Sequence, residues 1–144
     1  MSQDAYSDQE FIRAAMPAFI SEADEQITAI ETLLLELEEQ PGNRDLLDSL
    51  FRCAHTVKGS AGIFGLNRVV EFTHHVETLL DKMRDGELGL TPAISTLLLQ
   101  CNDQIKFLVD TAADEAADTP EKKDERADLV VQLRALTEGG VVPA

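Results

Sequence analysis

The chain has 144 residues, the length of one ordinary domain, and 44% of them are hydrophobic, which is enough to bury a core. Twelve Lys and Arg residues against 27 Asp and Glu residues give a formal charge of −15, so DNA, RNA and anionic membrane surfaces would be repelled. No apolar run approaches the roughly 18 residues that span a bilayer, and the acidic N-terminus lacks the basic start of a signal peptide. The composition predicts a cytoplasmic domain with Cys53 and Cys101 as free thiols.

The first predicted element is a long amphipathic helix over Asp8–Glu39, which Pro41 and Gly42 end. Pro17 is expected either to kink this helix or to begin its main section. Steps of three and four residues place one apolar face of the helix on Phe11, Ala15, Phe19, Ala23, Ile27, Ile30, Leu34 and Leu37.

Three further long helices follow in the predicted order. The second carries an apolar stripe and ends around Gly62–Gly65, and the third begins near Leu66 and ends before Asp85. The fourth has a clear start signal, with Thr91 as the cap and a proline in the first turn. Its pattern continues to about Ala117.

A fifth, shorter helix is predicted between Thr119 and Gly139, again from a threonine cap followed by proline. Its predicted apolar face consists of Ala127, Val130, Val131, Leu133 and Leu136. The pattern indicates an all-α fold: an antiparallel four-helix bundle, with the fifth helix packed on its end or side. The domain is expected to span residues 8–137, with 138–144 as the start of a linker. The acid-rich stretch Asp110–Asp128 is expected to be a solvated face and loop.

An unusual cluster surrounds His55 on the second predicted helix. At about 100° per residue, His55 lies roughly 110° from the centre of the apolar stripe and is expected at the solvent boundary. Lys58 follows one turn later on the same side. Gly59 and Gly62 flank the same surface, although glycine costs up to about 1 kcal/mol inside a helix. The two glycines suggest that a partner docks closely against the imidazole; the alternative is a surface histidine near a glycine-rich, fraying helix end.

The third predicted helix supplies Glu77 and His74, which are three residues apart and share one face, while His75 points elsewhere as an expected surface residue. The short connection between the second and third helices implies that Glu77 and His74 can lie beside His55. A carboxylate that accepts one ring N–H fixes the imidazole tautomer and leaves the other nitrogen free to attack. Glu77 is therefore predicted to orient His55, and Lys58 to offset the charge of a transferred phosphoryl group.

A metal site is the main chemical alternative for these residues. Glu71 and His74 have the Glu-x-x-His spacing of di-iron bundles, but Arg52 stands where a second such motif would need a glutamate before His55. No metal is therefore expected. The chain also lacks a Gly-x-x-x-x-Gly-Lys phosphate loop, so it could carry a phosphoryl group without energising one by itself.

The run from His55 to Gly65, His-Thr-Val-Lys-Gly-Ser-Ala-Gly-Ile-Phe-Gly, resembles the phospho-accepting motif of histidine phosphotransfer domains. The later segment Thr73–Glu77 is similar to the N-terminal phosphotransfer domain of CheA-type bacterial chemotaxis kinases. The similarity covers roughly Phe11–Leu136. Ser60 departs from the pattern, because many relatives have a second glycine there, and is expected to narrow the approach to the histidine slightly.

The resemblance implies that His55 accepts a phosphoryl group from ATP through a separate kinase catalytic domain and passes it to an aspartate of a response regulator. It implies that Lys58, His74 and Glu77 form the supporting network. It also implies that ATP and Mg²⁺ bind to the partner domains, with no cofactor on this chain. The isolated domain is expected to be a monomer and the N-terminal fragment of a longer chemotaxis kinase.

Two alternatives stay open at this point. The first is a free-standing phosphorelay shuttle without an attached kinase, which would lack the His74 partner and usually the fifth helix. The second is an inert helical docking module in which His55 is incidental. A phosphoryl group that is labile in acid and stable in base would exclude the inert module, because that behaviour is typical of a phosphoramidate.

Overall fold

The computed structural model describes residues 3–138, which form five α-helices and one 3₁₀ turn. The helices are α1 Gln3–Glu39, α2 Arg44–Ile63, α3 Asn67–Arg84, α4 Pro92–Asp110 and α5 Pro120–Thr137, and the 3₁₀ turn is Glu115–Ala117. The predicted all-α class is confirmed. Apart from Glu138, the linker predicted for residues 138–144 lies outside the described residues.

The first four helices form a closed ring of neighbours. Contacts join α1 to α2, α2 to α3, α3 to α4 and α4 back to α1, and short connections make consecutive helices antiparallel. The fifth helix packs along the side of the ring, against α3 and α4. The side chains buried at the centre include Leu34, Leu37, Leu50, Leu79, Ile105, Leu108 and Leu133. Within the described residues, none of the helices is both long and apolar enough to cross a membrane.

Side-chain caps begin three of the helices, and two of them, Thr91 and Thr119, are the predicted caps. The Oδ1 atom of Asn43 accepts a hydrogen bond from the backbone N–H of the third residue in α2, at 3.2 Å. Thr91 and Thr119 do the same for α4 and α5 through their hydroxyl oxygens. These bonds satisfy backbone donors that the first turn of a helix leaves free.

The α2–α3 connection is a three-residue turn that sets the two helices side by side. Gly65 has a φ of +69°, a left-handed conformation that a residue with a Cβ atom adopts only with strain. The backbone N–H of Gly65 donates to the carbonyl of Gly62, and that of Leu66 donates to the carbonyl of Ala61. This is the glycine-dependent way of ending a helix.

The first helix extends further than its sequence pattern predicts. It begins at Gln3 rather than Asp8 and continues through Pro17. Phe11, predicted to lie on the apolar face, is 69% exposed, and the buried face starts at Phe19. The reason is length: α1 has 37 residues, whereas α2, α3 and α4 have 18 to 20, so its first turns lie beyond its neighbours.

The fourth helix is shorter than predicted, ending at Asp110 rather than near Ala117. The hydroxyl of Thr111 donates to the carbonyl of Phe107 at 2.7 Å, and the Thr111 backbone N–H points to the same carbonyl. Such a side-chain bond competes with continued helix formation. The chain then turns through the short 3₁₀ segment before α5.

The acid-rich stretch after α4 is not wholly solvated, because Asp118 is buried. Its carboxylate accepts hydrogen bonds from Arg68 of α3 at 2.9 Å and from Arg126 of α5 at 2.7 and 3.1 Å. These arginines attach the turn to two different helices. Because the bonds with Arg126 and Arg68 outweigh the opposing effect of desolvation, the pKa of Asp118 is lowered.

The predicted apolar face of α5 is confirmed in part. Leu133 is buried as predicted, and Val130 and Leu136 are partly buried against the core, whereas Ala127 is exposed and Val131 is 61% exposed. Leu129, which the prediction did not include, is also buried. Arg126 precedes Leu129 by three residues, so the two side chains lie on the same face of α5. When Arg126 binds Asp118, this face is turned towards the core, and Leu129 and Leu133 are buried. The two cysteines are free thiols, and burial raises the pKa of Cys101 to about 12.

Candidate functional site

The imidazole of His55 lies on the surface of α2, where one edge of the ring contacts another side chain and the other edge faces solvent. Its side chain is 63% exposed, and its Nδ1 atom lies 2.9 Å from Oε2 of Glu77 on α3. An ionised carboxylate only accepts hydrogen bonds, so Nδ1 must carry the proton. The Nε2 atom is then left with its lone pair, which is the state in which a histidine acts as a nucleophile.

Glu77 also binds Lys58, so one carboxylate joins all three side chains. The Nζ atom of Lys58 donates to Oε1 of Glu77 at 2.8 Å, and His55 occupies the other oxygen. Glu77 itself is only 13% exposed. The positive charge of Lys58 thus lies one helical turn from the imidazole, on the same side of α2.

The electrostatics keep Glu77 ionised. Partial burial by itself raises the pKa of Glu77, but the hydrogen bonds from Lys58 and His55 together with their charges outweigh burial and lower the pKa below its ordinary value. An ionised carboxylate accepts the Nδ1–H hydrogen bond and so fixes the imidazole tautomer. It also compensates positive charge that develops on the ring when Nε2 forms a new bond.

The surface next to His55 is open on the side of Gly59 and Gly62. An added Cβ atom at Gly59 would meet nothing within 4 Å, and at Gly62 it would meet only the Cγ2 atom of Val70, at 4.0 Å. Both glycines are exposed. Ser60 is half-buried and lines a groove between α1 and α2. Its expected effect on a partner's approach stays a prediction.

The remaining two histidines are placed differently from one another. His74 is exposed, and among the side chains of residues 10–138 no hydrogen bond joins His74 to His55. Its supporting role therefore stays a prediction. His75, expected on the open surface, is half-buried where α5 covers α3. Burial, together with the charges of His74 and of Arg134 on α5, lowers the pKa of His75.

The described residues offer no metal cluster. Across residues 10–138, whose side chains the structure describes, no group of three His, Cys, Asp or Glu side chains is arranged to hold an ion. Glu71 and His74, the pair with di-iron spacing, are both exposed.

Sequence reasoning missed the contact between His55 and Phe51, and the contact between Phe51 and Arg84. The ring of Phe51, one turn earlier on α2, lies nearly parallel to the imidazole, with an interplanar angle of 9° and centroids 6.0 Å apart. The guanidinium carbon of Arg84, at the end of α3, lies 4.2 Å from the centroid of the Phe51 ring. The spacing of four residues between Phe51 and His55 is a signal the sequence does contain, but Arg84 is brought there only by the packing of α3 on α2.

Comparison with known proteins identifies the class of this fold and site. The model of the Hpt domain family matches residues 15–108, and the chain belongs to that family. Within it, the chain is similar to the phosphotransfer regions of CheA proteins. It is 31% identical to the solved CheA phosphotransferase domain from Thermotoga maritima, with a TM-score of 0.66, covering 70% of this chain and 96% of that domain.

Two curated relatives give the same assignment at higher identity. The chain is 38% identical to the sensor histidine kinase CheAY of Helicobacter pylori over 88% of its own length and 16% of that protein. It is 39% identical to the chemotaxis protein CheA of Treponema pallidum over 87% of its length and 15% of that protein. The chain therefore spans about a sixth of these relatives and is a phosphotransfer domain of the CheA type.

Proposed function

We propose that this domain carries a phosphoryl group on Nε2 of His55, between a kinase catalytic domain and the aspartate of a response regulator. The observation that supports the proposal is the three-residue contact in which Glu77 binds both His55 Nδ1 and Lys58 and leaves Nε2 open. The CheA relatives are histidine kinases or chemotaxis proteins by name, which supports the same donor and acceptor classes.

In the first step, the Nε2 lone pair attacks the γ-phosphorus of ATP held by the catalytic domain. The new N–P bond forms while the bond to the ADP oxygen breaks, and ADP leaves. The ring becomes cationic as the N–P bond forms, and the Glu77 carboxylate next to Nδ1–H compensates that charge. Lys58 is placed to offset the negative phosphoryl oxygens.

In the second step, a carboxylate oxygen of the regulator's aspartate attacks the phosphorus, and the N–P bond breaks. The imidazole returns to its neutral form with the proton still on Nδ1. The open surface around Gly59 and Gly62 lets the regulator bring its carboxylate and a Mg²⁺ ion close to the phosphorus. No cofactor resides on this chain in the proposal; ATP and Mg²⁺ belong to the partner domains, and the location is the cytoplasm.

The alternative of a free-standing shuttle is not better supported. The matched relatives are much longer than this chain, and the structure contains both the His74 position and α5, which the shuttle interpretation omits. As part of a kinase, the domain would be the phospho-carrier and the separate catalytic domain would supply the phosphoryl transfer from ATP.

The proposal is tested by incubating the protein with the catalytic domain of a CheA relative and radiolabelled ATP. We expect label that is labile in acid and stable in base, and no label on a His55→Gln variant. His75→Gln serves as the matched control, because His75 lies on the face covered by α5, and it should be labelled like the parent. Label that persists on His55→Gln would refute His55 as the acceptor.

A further inference from the structure

A single hydrogen bond does not fix the plane of the His55 ring. The bond from Nδ1 to Glu77 restrains one edge, but the ring could still swing about that bond, because the surface beyond Gly59 is open. For Nε2 to meet a phosphorus atom in line, the direction of its lone pair must be restrained as well. A second contact is needed on the side of the ring that the helix provides.

Phe51 supplies a contact of this kind. It is four residues before His55 and therefore directly below it on α2. The two rings are nearly parallel at 9°, and their centroid separation of 6.0 Å is within the range in which offset aromatic pairs attract one another. A swing of the imidazole towards the start of α2 would bring it against the Phe51 ring.

Phe51 is in turn held from its other side by Arg84. The guanidinium carbon lies 4.2 Å from the Phe51 centroid, within the range of a cation–π interaction. Arg84 does not move freely over the ring, because its Nε atom donates to Asp48 at 3.0 Å and its Nη1 atom lies 3.6 Å from Asp81. A series of contacts thus runs from the end of α3, through Phe51, to the imidazole.

We propose that Phe51, held in place by Arg84, is a positioning residue that sets the plane of the His55 imidazole for phosphoryl transfer at Nε2. The proposal rests on the proposed function of His55 and adds to it a second restraint, independent of Glu77. Glu77 selects the tautomer and fixes one edge of the ring, while Phe51 limits rotation about that edge. Arg84 acts through Phe51 and touches neither the imidazole nor the transferred group.

The test compares Phe51→Leu with Phe107→Leu. Phe107 is a matched control because it is also half-buried and also lies under a cation, Lys122, at 5.1 Å, but it is on α4, away from His55. We expect Phe51→Leu to lower the phosphorylation rate of His55 by about five- to tenfold, because an aromatic contact of this kind is lost. Phe107→Leu should be phosphorylated at the parental rate, and equal rates for the two variants would overturn the proposal.

Nitrogen NMR of the labelled imidazole provides a readout that a general packing defect would not move. We expect the Nδ1–H tautomer in the parent and in both variants, because Glu77 is present in all three. We expect faster ring motion, measured by nitrogen relaxation, in Phe51→Leu and not in Phe107→Leu. This measurement needs no kinase. If the parent were never phosphorylated, the proposed function would fail, but the NMR comparison would still show whether Phe51 positions the ring. Spectra of Phe51→Leu that match those of the parent would contradict the positioning role.

Two further variants separate positioning from folding. Phe51→Tyr keeps the aromatic ring and should restore the parental rate and spectrum. Arg84→Met removes the cation over Phe51 without removing a core side chain, and it should lower the rate in the same direction by a smaller factor. If Phe51→Leu fails to fold, Arg84→Met decides the question, and a parental rate and spectrum for it would overturn the proposal.

Discussion

Two carboxylates of this domain, Glu77 and Asp118, make similar bonds and have different consequences. Each accepts hydrogen bonds from two nitrogen-bearing side chains of other elements, and each has a lowered pKa. The partner of Glu77 is an imidazole that is 63% exposed, whereas the Asp118 side chain is 1% exposed between two arginines. The same kind of ion pair thus orients an exposed side chain at Glu77 and connects buried parts of the fold at Asp118.

The difference lies in what each carboxylate holds. Glu77 holds a side chain whose other edge faces solvent, so removing Glu77 leaves the helices packed but the imidazole poorly oriented. Asp118 holds α3 and α5 to the turn between α4 and α5, so removing it leaves the partly buried guanidinium groups of Arg68 and Arg126 without their partner. We therefore expect Glu77 variants to lose rate and Asp118 variants to lose stability.

The largest expected effect is on the rate of His55 phosphorylation. Glu77→Ala should slow it by about 10²- to 10⁴-fold, the range for a positioned general base or orienting group, with nearly parental helical content by circular dichroism. Glu71→Ala is the control, since that carboxylate is exposed on the same helix. A parental phosphorylation rate for Glu77→Ala would show that the contact seen at 2.9 Å has no role in the reaction.

Asp118→Ala should behave in the opposite way. We expect a loss of about 2–3 kcal/mol in the free energy of unfolding, below the range for fully buried pairs because Arg68 and Arg126 retain some access to water. The phosphorylation rate of the folded fraction should be unchanged. Chemical denaturation measures the change in the free energy of unfolding. Asp114→Ala is the control, because Asp114 is an exposed neighbour. An unchanged midpoint would mean that the arginines are satisfied by solvent once Asp118 is gone.

A bulky side chain next to His55 tests whether a response regulator needs the open surface around Gly59. Gly59→Leu has room for its side chain, so the protein should fold, yet transfer from phosphorylated His55 to a response regulator should slow by about tenfold or more, because a small displacement of the partner is costly. Gly42→Leu, in the open α1–α2 turn, should transfer normally. Unfolding of Gly59→Leu, detected by circular dichroism, would indicate instead that the glycine serves helix packing.

The smallest effect is expected from acid. Because the folded pKa of Asp118 is lowered from its ordinary value of 3.8, its stabilising contribution is complete above that pH and is lost as the pH falls through the lower folded value. Parent and Asp118→Asn should therefore differ in free energy of unfolding near neutral pH and converge in strong acid. A difference that grew on acidification would have the wrong sign for this mechanism.

Local chemistry made much of the domain predictable from its sequence. Periodic apolar residues identify the helices. The caps Thr91 and Thr119 act on backbone groups three residues away, so the predicted starts of α4 and α5 agree closely with the structure. The exposed position of His55 and its proximity to Glu77 follow from helical geometry and one short connection. The His55→Gln and Glu77→Ala experiments test the roles predicted for these two residues.

Other features depended on packing between distant segments, and only the tertiary structure decided them. The burial of Asp118 requires Arg68, which lies 50 residues earlier in the chain. The contacts of Asp118 also orient α5 so that Leu129 rather than Val131 faces the core. The placement of Arg84 over Phe51 requires α3 to lie against α2 in one particular register. The periodicity of a helix predicts which of its own residues form the apolar face. It does not predict which charged or aromatic side chain of another helix will lie against that face, because the packing of whole helices decides those contacts.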